Sequence, residues 1–253
     1  MTTTLLLDSD LIAYQFASSA QASYNFGDTG TCTHVDDFEL VAPLVDKWIT
    51  AVVDKLNADA VVVCLSVPTA ECFRLSVLPT YKSNRKAVIR PAHLQAVKDY
   101  MATNYKSYIR DSLEADDLLG ILATHPTLIK GDKVVVTEDK DLMTVPCNLF
   151  RPKRDSKPKA VTLKEANYYH LYQSLIGDST DGYRGCPGIG PVKAELILRN
   201  ALPGAEWSAV VATYESKGLT EEEALVQARV ARICRADDYD FKNKEVKLWT
   251  PHK

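Results

Sequence analysis

The stretch "GDSTDGYRGCPGIGPVKAELIL" (177–198) sets Asp178 and Asp181 three residues apart, directly before four glycines and two prolines in residues 182–191. Lys193 and an apolar helical pattern follow. Before it, "LKEANYYHLYQSLIG" has helical period. After it, "AEWSAVVATYESKG" and "TEEEALVQARVARICRADD" are helical again with short breaks. The stretch therefore reads as a tight turn joining two helices. The amides of Gly188, Gly190 and the new helix start would then point outward and suit a phosphate, with Lys193 adding charge. A dinucleotide-type G-x-G fingerprint is the weaker reading, because no strand precedes it and Lys193 stands where the third glycine belongs. An ordinary helix–helix linker is the bland alternative.

Upstream of residue 163 the pattern differs. "TLLLD" (4–8), "AVVVCL" (60–65), "SYIRD" (107–111) and "VVVT" (134–137) are short runs rich in Val, Ile and Leu, as in parallel strands buried on both faces. Between them, "FELVAPLVDKWITAVVDKL" (38–56) aligns Leu40, Leu44, Trp48, Val52 and Leu56 as one apolar face. "PAHLQAVKDYMATN" (91–104) starts with a helix-favouring proline, and "SLEADDLLGILAT" (112–124) offers Ser112 as its cap. The expected fold is α/β, a central mostly parallel sheet flanked by helices, followed by a helical portion. The expected division is a core over 1–162 and a helical part over 163–253, packed as one unit. "KEVKLW" near the C-terminus reads as an edge strand, and "PKRDSKPK" as a β-turn or exposed hairpin.

With 253 residues, 46% of them hydrophobic, the chain can bury a substantial core. No apolar run reaches membrane-spanning length, and "MTTTLLLDSD" reads as a strand rather than a signal peptide. The six cysteines form no C-x-x-C pair and the five histidines no close pair, which suits reduced thiols in a cytoplasm and no zinc site. The net charge of −3 excludes a simple nucleic-acid coat, but the charges are segregated. "YKSNRKAVIR" (81–90) has four cations and no anion, and "RPKRDSKPK" (151–159) five cations and one anion. Such segregation permits a basic contact surface around an acidic centre.

The acids fall where an open α/β sheet binds ligands, beyond the carboxyl ends of strands. Asp8 ends the first strand, with Asp10 two residues on. Glu114, Asp116 and Asp117 follow "SYIRD", and Asp139 and Asp141 follow "VVVT". Asp178 and Asp181 open the glycine turn. Taken singly, each motif is more often a cap or a turn than a ligand pair. Four of them at matching positions would repel one another, and hard cations such as Mg²⁺, bound by oxygen, would relieve that. Two such ions about 4 Å apart can clamp the attacking and leaving oxygens of a phosphodiester. The run "FRLSVLPTYKSNRKAVIRP" supplies Arg74, Tyr81, Lys82, Arg85 and Lys86 as candidate nucleic-acid contacts, with Tyr81 able to stack on a base. A solvated basic helix is the alternative.

In this order, Asp8, "YKSNR", "EADD", "TEDKD", "GDSTDG" and "GCPGIG" resemble the 5′-nuclease superfamily of flap endonucleases and 5′–3′ exonucleases, most of all the compact exonucleases of short-tailed bacteriophages. The similarity runs from about Leu5 to "KEVKLW". It implies an arch near 79–100 that gates single strands and a helix–three-turn–helix that grips duplex. It implies two Mg²⁺ ions, replaceable by Mn²⁺, held by Asp8, Glu114, Asp116, Asp117, Asp139, Asp141, Asp178 and Asp181, and a K⁺ ion at the glycine-rich turn. Lys82 matches the arch lysine near the scissile phosphate, and Arg85 the arginine of the same motif. The implied partner is DNA with 5′ ends or flaps, extending to RNA–DNA hybrid, in phage replication within a host cytoplasm. Protein partners are not indicated. One departure is clear: many members carry an acid soon after the second strand, where this chain has Ser66.

Two rivals stand beside this reading. A haloacid-dehalogenase-like phosphatase would use Asp8 of "LLLDSD" as nucleophile, yet it leaves "EADD" and "GCPGIG" without a role. A catalytically inactive DNA-structure-binding protein is supported only by the missing acid at Ser66.

Overall fold

Leu5, Leu6 and Leu7 are wholly buried on strand β1 (Thr3–Asp8), and the sheet is built outward from them. Successive side chains of a strand point to opposite faces. Leu6 accordingly joins one apolar cluster while Leu5 and Leu7 join the other. Each such leucine contributes about 1.5–3 kcal/mol by leaving water. The computed structural model describes residues 2–25, 31–87 and 89–251, and the side chains of residues 25, 31, 86 and 87 lie outside that description.

After β1 come helix α1 (Ser9–Ser19), an antiparallel hairpin of β2 (Gln21–Asn25) and β3 (Thr31–Val35), and helix α2 (Phe38–Leu56). Strand β4 (Ala60–Cys64) pairs parallel with β1. A short helix α3 (Arg74–Val77), helix α4 (Leu94–Asn104), strand β5 (Lys106–Tyr108) and helix α5 (Ala115–Thr124) lead to β6 (Asp132–Val136), which pairs with the other side of β1. Strands β7 (Asn148–Phe150) and β8 (Lys159–Ala160) complete a sheet of order β5-β4-β1-β6-β7-β8, parallel except for β8. Helices α1, α2 and α4 cover one face and α5 the other. Because the chain fills both sides of β1, a crevice opens at its carboxyl end, and Asp8 stands there.

Residues 151–158 of the basic stretch form the connection of the β7–β8 hairpin, as expected, and Lys159 opens β8. Helices α6 (Leu163–Ile176), α7 (Pro191–Asn200), α8 (Glu206–Glu215) and α9 (Glu221–Ala231) follow and enclose a third cluster around Leu175, Val210 and Tyr214. No helix of the described residues is long and apolar enough to cross a membrane.

Several local expectations are corrected. Helix α2 buries Val41, Val45, Ile49 and Val52, whereas Leu40 and Leu44 are exposed. A strict four-residue step advances about 40° beyond a full turn, so a stripe from residue 40 to 56 winds off any one face. Steps of four and three hold the buried line. Helix α5 is capped by Glu114 rather than Ser112, in a reciprocal box with Asp117, and Ser112 takes a left-handed φ of 64° just before it. "KEVKLW" contributes Glu245–Val246 to a separate two-stranded ribbon with Tyr239–Asp240, not to the main sheet. Helix α9 ends at Ala231 although the apolar pattern continues, because the buried guanidinium of Arg74 takes the carbonyls of Val230 and Arg232.

The 177–190 turn is drawn tight by two crossing glycines. Gly177 (φ 70°) caps α6, and Asp178 pairs with Tyr183 through both backbone hydrogen bonds. A Cβ on Gly177 would lie 2.3 Å from Arg184 C, and one on Gly185 (φ 64°) 2.4 Å from Gly177 N. Gly190 has ordinary φ (−102°) and open space around a Cβ. Gly185→Ala is therefore expected to cost more than about 2 kcal/mol, the left-handed penalty plus a backbone clash. Gly190→Ala should stay within about 0.5 kcal/mol. Urea unfolding of the two variants checks the contrast; equal midpoints would show that the crossing does not hold the turn.

Candidate active site

Asp8 is 5% exposed, and both carboxylate oxygens are engaged. Its Oδ1 accepts from Leu11 N at 3.1 Å and its Oδ2 from Thr137 Oγ1 at 2.6 Å. The same threonine hydroxyl accepts from Asp139 N at 2.9 Å, and Asp139 Oδ1 accepts from Asp141 N at 2.8 Å. This relay ties β1 to the loop after β6 and winds Lys140–Thr144 into a 3-10 turn capped by Asp139. Thr137 was not among the residues singled out in the sequence, although it stands directly before "EDKD".

Burial and mutual charge act together on these acids. Burial, then Asp10 and Asp139, push the Asp8 carboxyl up to about 7 against the hydrogen bonds from Thr137 and Leu11. Asp116 is raised by burial and by Asp8 and Asp139. Asp141 is raised to about 6 by burial and Asp139, with Lys140 opposing. Asp8, Asp116, Asp139 and Asp141 thus form one interacting group.

Glu114 and Asp181 are compensated by cations of the chain. Lys82 Nζ donates to Glu114 Oε1 at 2.6 Å and lies 3.7 Å from Asp181 Oδ2. Arg74 lies 3.1 Å from Glu114 Oε2. Burial would raise Glu114, but Arg74 and Lys82 outweigh it and hold the carboxyl down to about 2. Arg85 binds Asp181 Oδ1 and donates from Nε to Thr180 O at 3.1 Å. Lys82 N donates to Asp181 O at 2.8 Å, and Asn84 to Ser179 O at 2.7 Å, so the 82–85 segment sits on the Asp178–Asp181 loop. On the other side, Lys140 Nζ bridges Asp141 and Asp178 at 2.9 Å each.

Three expected roles do not survive the geometry. Asp117 is fully buried, and its oxygens accept from both Arg74 nitrogens at 2.7 and 2.8 Å, from Glu114 N and from Cys234 N. It is an internal cap and ion pair, sharing an Arg74 nitrogen with Glu114. Arg74, expected on DNA, is 3% exposed and pins α3 to α5 and to the end of α9. Tyr81, expected to stack on a base, is 3% exposed, and its hydroxyl lies 2.8 Å from Glu114 Oε2 and 3.1 Å from Asp181 Oδ2. Its sequence neighbourhood is basic, but its ring packs with Cys72, Tyr183, Val230 and Ala231. Lys193 donates to Gly188 O at 3.1 Å and closes the glycine turn on itself. The Lys86 side chain lies outside the described residues. Ser66, where an acid was expected, accepts from Ala115 N at 2.7 Å and so ties β4 to α5. Ser66 N lies 3.3 Å from Asp10 Oδ1, which is also paired with Lys98 at 2.8 Å.

Among the described residues, no three His, Cys, Asp or Glu side chains converge as a ready-made metal cage. Lys82 and Lys140 hold several of the oxygens instead. The donor set nonetheless fits a hard divalent cation. It is all oxygen, burial and like charge leave the Asp8 and Asp116 carboxyls raised on balance, and one buried polar atom beside it is orphaned. Gln173 of α6, 1% exposed, donates to Asp141 Oδ1 while its own Oε1 has no partner. Water on a bound cation would supply that donor. Gln173 carries no sequence signal, since only the packing of α6 brings it to Asp141.

Removing Arg74 should be severe. Arg74→Met leaves Asp117 buried and unpaired, and a loss of about 3–5 kcal/mol is expected in urea unfolding. A loss under about 1 kcal/mol would show the pair to be dispensable. Asp116 supports a pH test. Its folded pKa lies above the ordinary 3.8, so its ionised form destabilises the fold increasingly as pH rises past that value. Asp116→Asn is expected to raise the unfolding midpoint of the EDTA-treated protein at about pH 8, with the gain vanishing toward about pH 4. A pH-independent effect would remove charge as its cause.

Comparisons with known proteins agree with this geometry. A family described as 5′-3′ exonuclease, N-terminal resolvase-like domain, matches residues 4–166. The exonuclease of Escherichia phage T7 is 28% identical over 98% of this chain and 93% of its own length. The flap endonuclease Xni of Vibrio parahaemolyticus is 30% identical over 72% of this chain and 75% of its own length. In fold, the T5 D15 protein co-crystallised with metal ions superposes with a TM-score of 0.67 at 15% identity, over 90% of this chain and 89% of that one. With the family match spanning more than half of its residues, the chain belongs to the 5′–3′ exonuclease family.

Proposed function

We propose that the chain hydrolyses phosphodiester bonds at 5′ ends and flaps of DNA as a divalent-metal-dependent 5′–3′ exonuclease and flap nuclease. The observation that carries this is the gathering of Asp8, Asp116, Asp139 and Asp141 at the carboxyl edge of the sheet, one residue pair away from the turn opened by Asp178 and Asp181. These acids, with Glu114, would hold two Mg²⁺ ions, replaceable by Mn²⁺. When bound, such ions activate water and stabilise charge on the phosphate. The eight acids expected at the centre exceed the whole net charge of −3, so once cations screen them the remaining surface is compatible with DNA.

Helices α6 and α7 with the glycine turn are the proposed helix–three-turn–helix within a duplex-binding portion over 163–253. Space around Gly190 supports close approach of a phosphate, and K⁺ is the proposed ion at this turn. The segment 79–100 is the proposed arch. Its Lys82, now 11% exposed on Glu114, would turn to the scissile phosphate, and Arg85 would act beside it. RNA–DNA hybrid as substrate, a role in phage replication and a host-cytoplasmic setting belong to the same proposal. The phosphatase reading fares poorly, because a lone Asp8 nucleophile gives no role to Asp116 and Asp141, which stand with Asp8 at the same sheet edge. The inactive-binder reading rested on Ser66, and the remaining acids stand without it.

The test is release of nucleotides from 5′-labelled duplex and flap DNA. Cleavage is expected with Mg²⁺ or Mn²⁺, binding without turnover with Ca²⁺, and none in EDTA; full activity in excess EDTA would sink the metal mechanism. Lys82→Ala should slow single-turnover cleavage about 10²–10³-fold with little loss of affinity, as befits a donor to charge that develops in the transition state. An unchanged rate would remove Lys82 from the mechanism.

A further inference from the structure

Lys140 stands between Asp139 and Asp141, so the motif carries a cation inside its own pair of acids. Its ammonium joins two segments, taking Asp141 Oδ1 of the 3-10 turn and Asp178 Oδ2 of the loop after α6 at 2.9 Å each. The acids are recessed, with side chains 18% and 14% exposed, while the lysine is 55% exposed. A plug with this profile reaches in from solvent on a flexible stem and can leave by the same path. Half-exposed ammonium–carboxylate pairs are worth little singly.

The bridge also leaves the site incomplete. Gln173 is fixed on Asp141 by its amide nitrogen, yet its Oε1 stays buried without a donor. The ammonium satisfies the charge of the two acids and not that oxygen. A hydrated divalent cation would satisfy both, with its charge on the carboxylates and a water proton on Gln173. The two acids therefore suit two cations of different origin, and the oxygens used by one are denied to the other.

Resting on the reading of this centre as a divalent-metal nuclease site, we infer that Lys140 is a tethered counter-ion occupying the Asp141–Asp178 bridge in the metal-free protein, and that the divalent cation binding there must displace it. Lys140 then sets the concentration at which that cation enters. Competition is reciprocal: the factor by which Lys140 weakens the cation is the factor by which the cation weakens the hold on Lys140. Displacement also frees a positive charge beside the metal-loaded acids, where a phosphate of the substrate would arrive.

Reciprocity gives two readouts that need neither DNA nor turnover. In Ca²⁺ titration calorimetry, Lys140→Met is expected to tighten one Ca²⁺-binding step about tenfold, the order for an ammonium shared by two carboxylates. In the unmodified protein, Ca²⁺ should raise the rate at which Lys140 is acylated by a water-soluble ester, read by peptide mass spectrometry against the other lysines. Ca²⁺ binding that is equally tight in parent and Lys140→Met would overturn the inference. So would acylation of Lys140 that Ca²⁺ leaves unchanged or slows, and this second measurement does not depend on the variant folding. A parent protein that binds no Ca²⁺ at all would instead bring down the metal-centre reading, and the inference with it.

Discussion

The constraint beneath this structure is electrostatic. A parallel sheet buried on both faces delivers its loops to one edge, and this chain ends those strands in acids. Asp8, Asp116 and Asp141 hold their protons more tightly than free carboxyls do, because burial and the like charges around them, Asp139 among them, both disfavour ionisation. Left alone, such a group would strain the edge of the fold. The chain answers with cations placed between the acids: Arg74 on Asp117 and Glu114, Lys82 on Glu114, Arg85 on Asp181 and Lys140 across Asp141 and Asp178. These cations differ in depth. Arg74 is inside the protein for good, whereas Lys140 is half in water. Depth separates structural pairs from replaceable ones, because removing a partner from a fully buried pair leaves an uncompensated charge and removing it from an exposed pair leaves a hydrated one.

Arg74 shows how one side chain can organise several levels of structure. Its fork matches the Asp117 carboxylate in both directions, which fixes the N-terminus of α5 and with it Glu114 and Asp116. Its Nε and the second proton of Nη2 take the carbonyls that end α9. The helical part and the sheet are thus joined at the root of the acidic motif. A lysine would not serve, since a point charge with three donors cannot hold five acceptors.

Much of this was legible in the sequence, and the illegible part has a common cause. Strands β1, β4 and β6 were readable because burial on both faces leaves a continuous apolar run. The acids were readable because they follow those runs. The partners of those acids were not. Arg74 and Tyr81 lie in a basic stretch and look like surface, but the chain after α3 turns inward and closes over them. Gln173 and Thr137 are ordinary residues whose meaning comes only from what α6 and β1 bring to them. The apolar face of α2 was misaligned because a four-residue step drifts around the helix. Ser112 was preferred to Glu114 as a cap because sequence ranks residue types, whereas the fold chose the residue whose partner, Asp117, is held in place by Arg74.

The placement of two carboxylates before a glycine-rich turn can now be understood as a problem of distance. Asp178 follows α6 by one glycine, and α6 itself reaches Asp141 through Gln173. The loop between Asp178 and Tyr183 is closed by paired backbone hydrogen bonds, and Gly177 and Gly185 cross too closely for any side chain. Slack is removed at both ends. The 82–85 segment then docks on the same loop through backbone and side chain, so that the lysine, the acids and the start of the glycine turn share one short scaffold. A flexible linker would let Gly188 and Gly190 wander relative to Asp8. This loop cannot stretch without breaking a hydrogen bond, and it therefore fixes the interval between anything held at the glycine turn and the acids at the sheet edge.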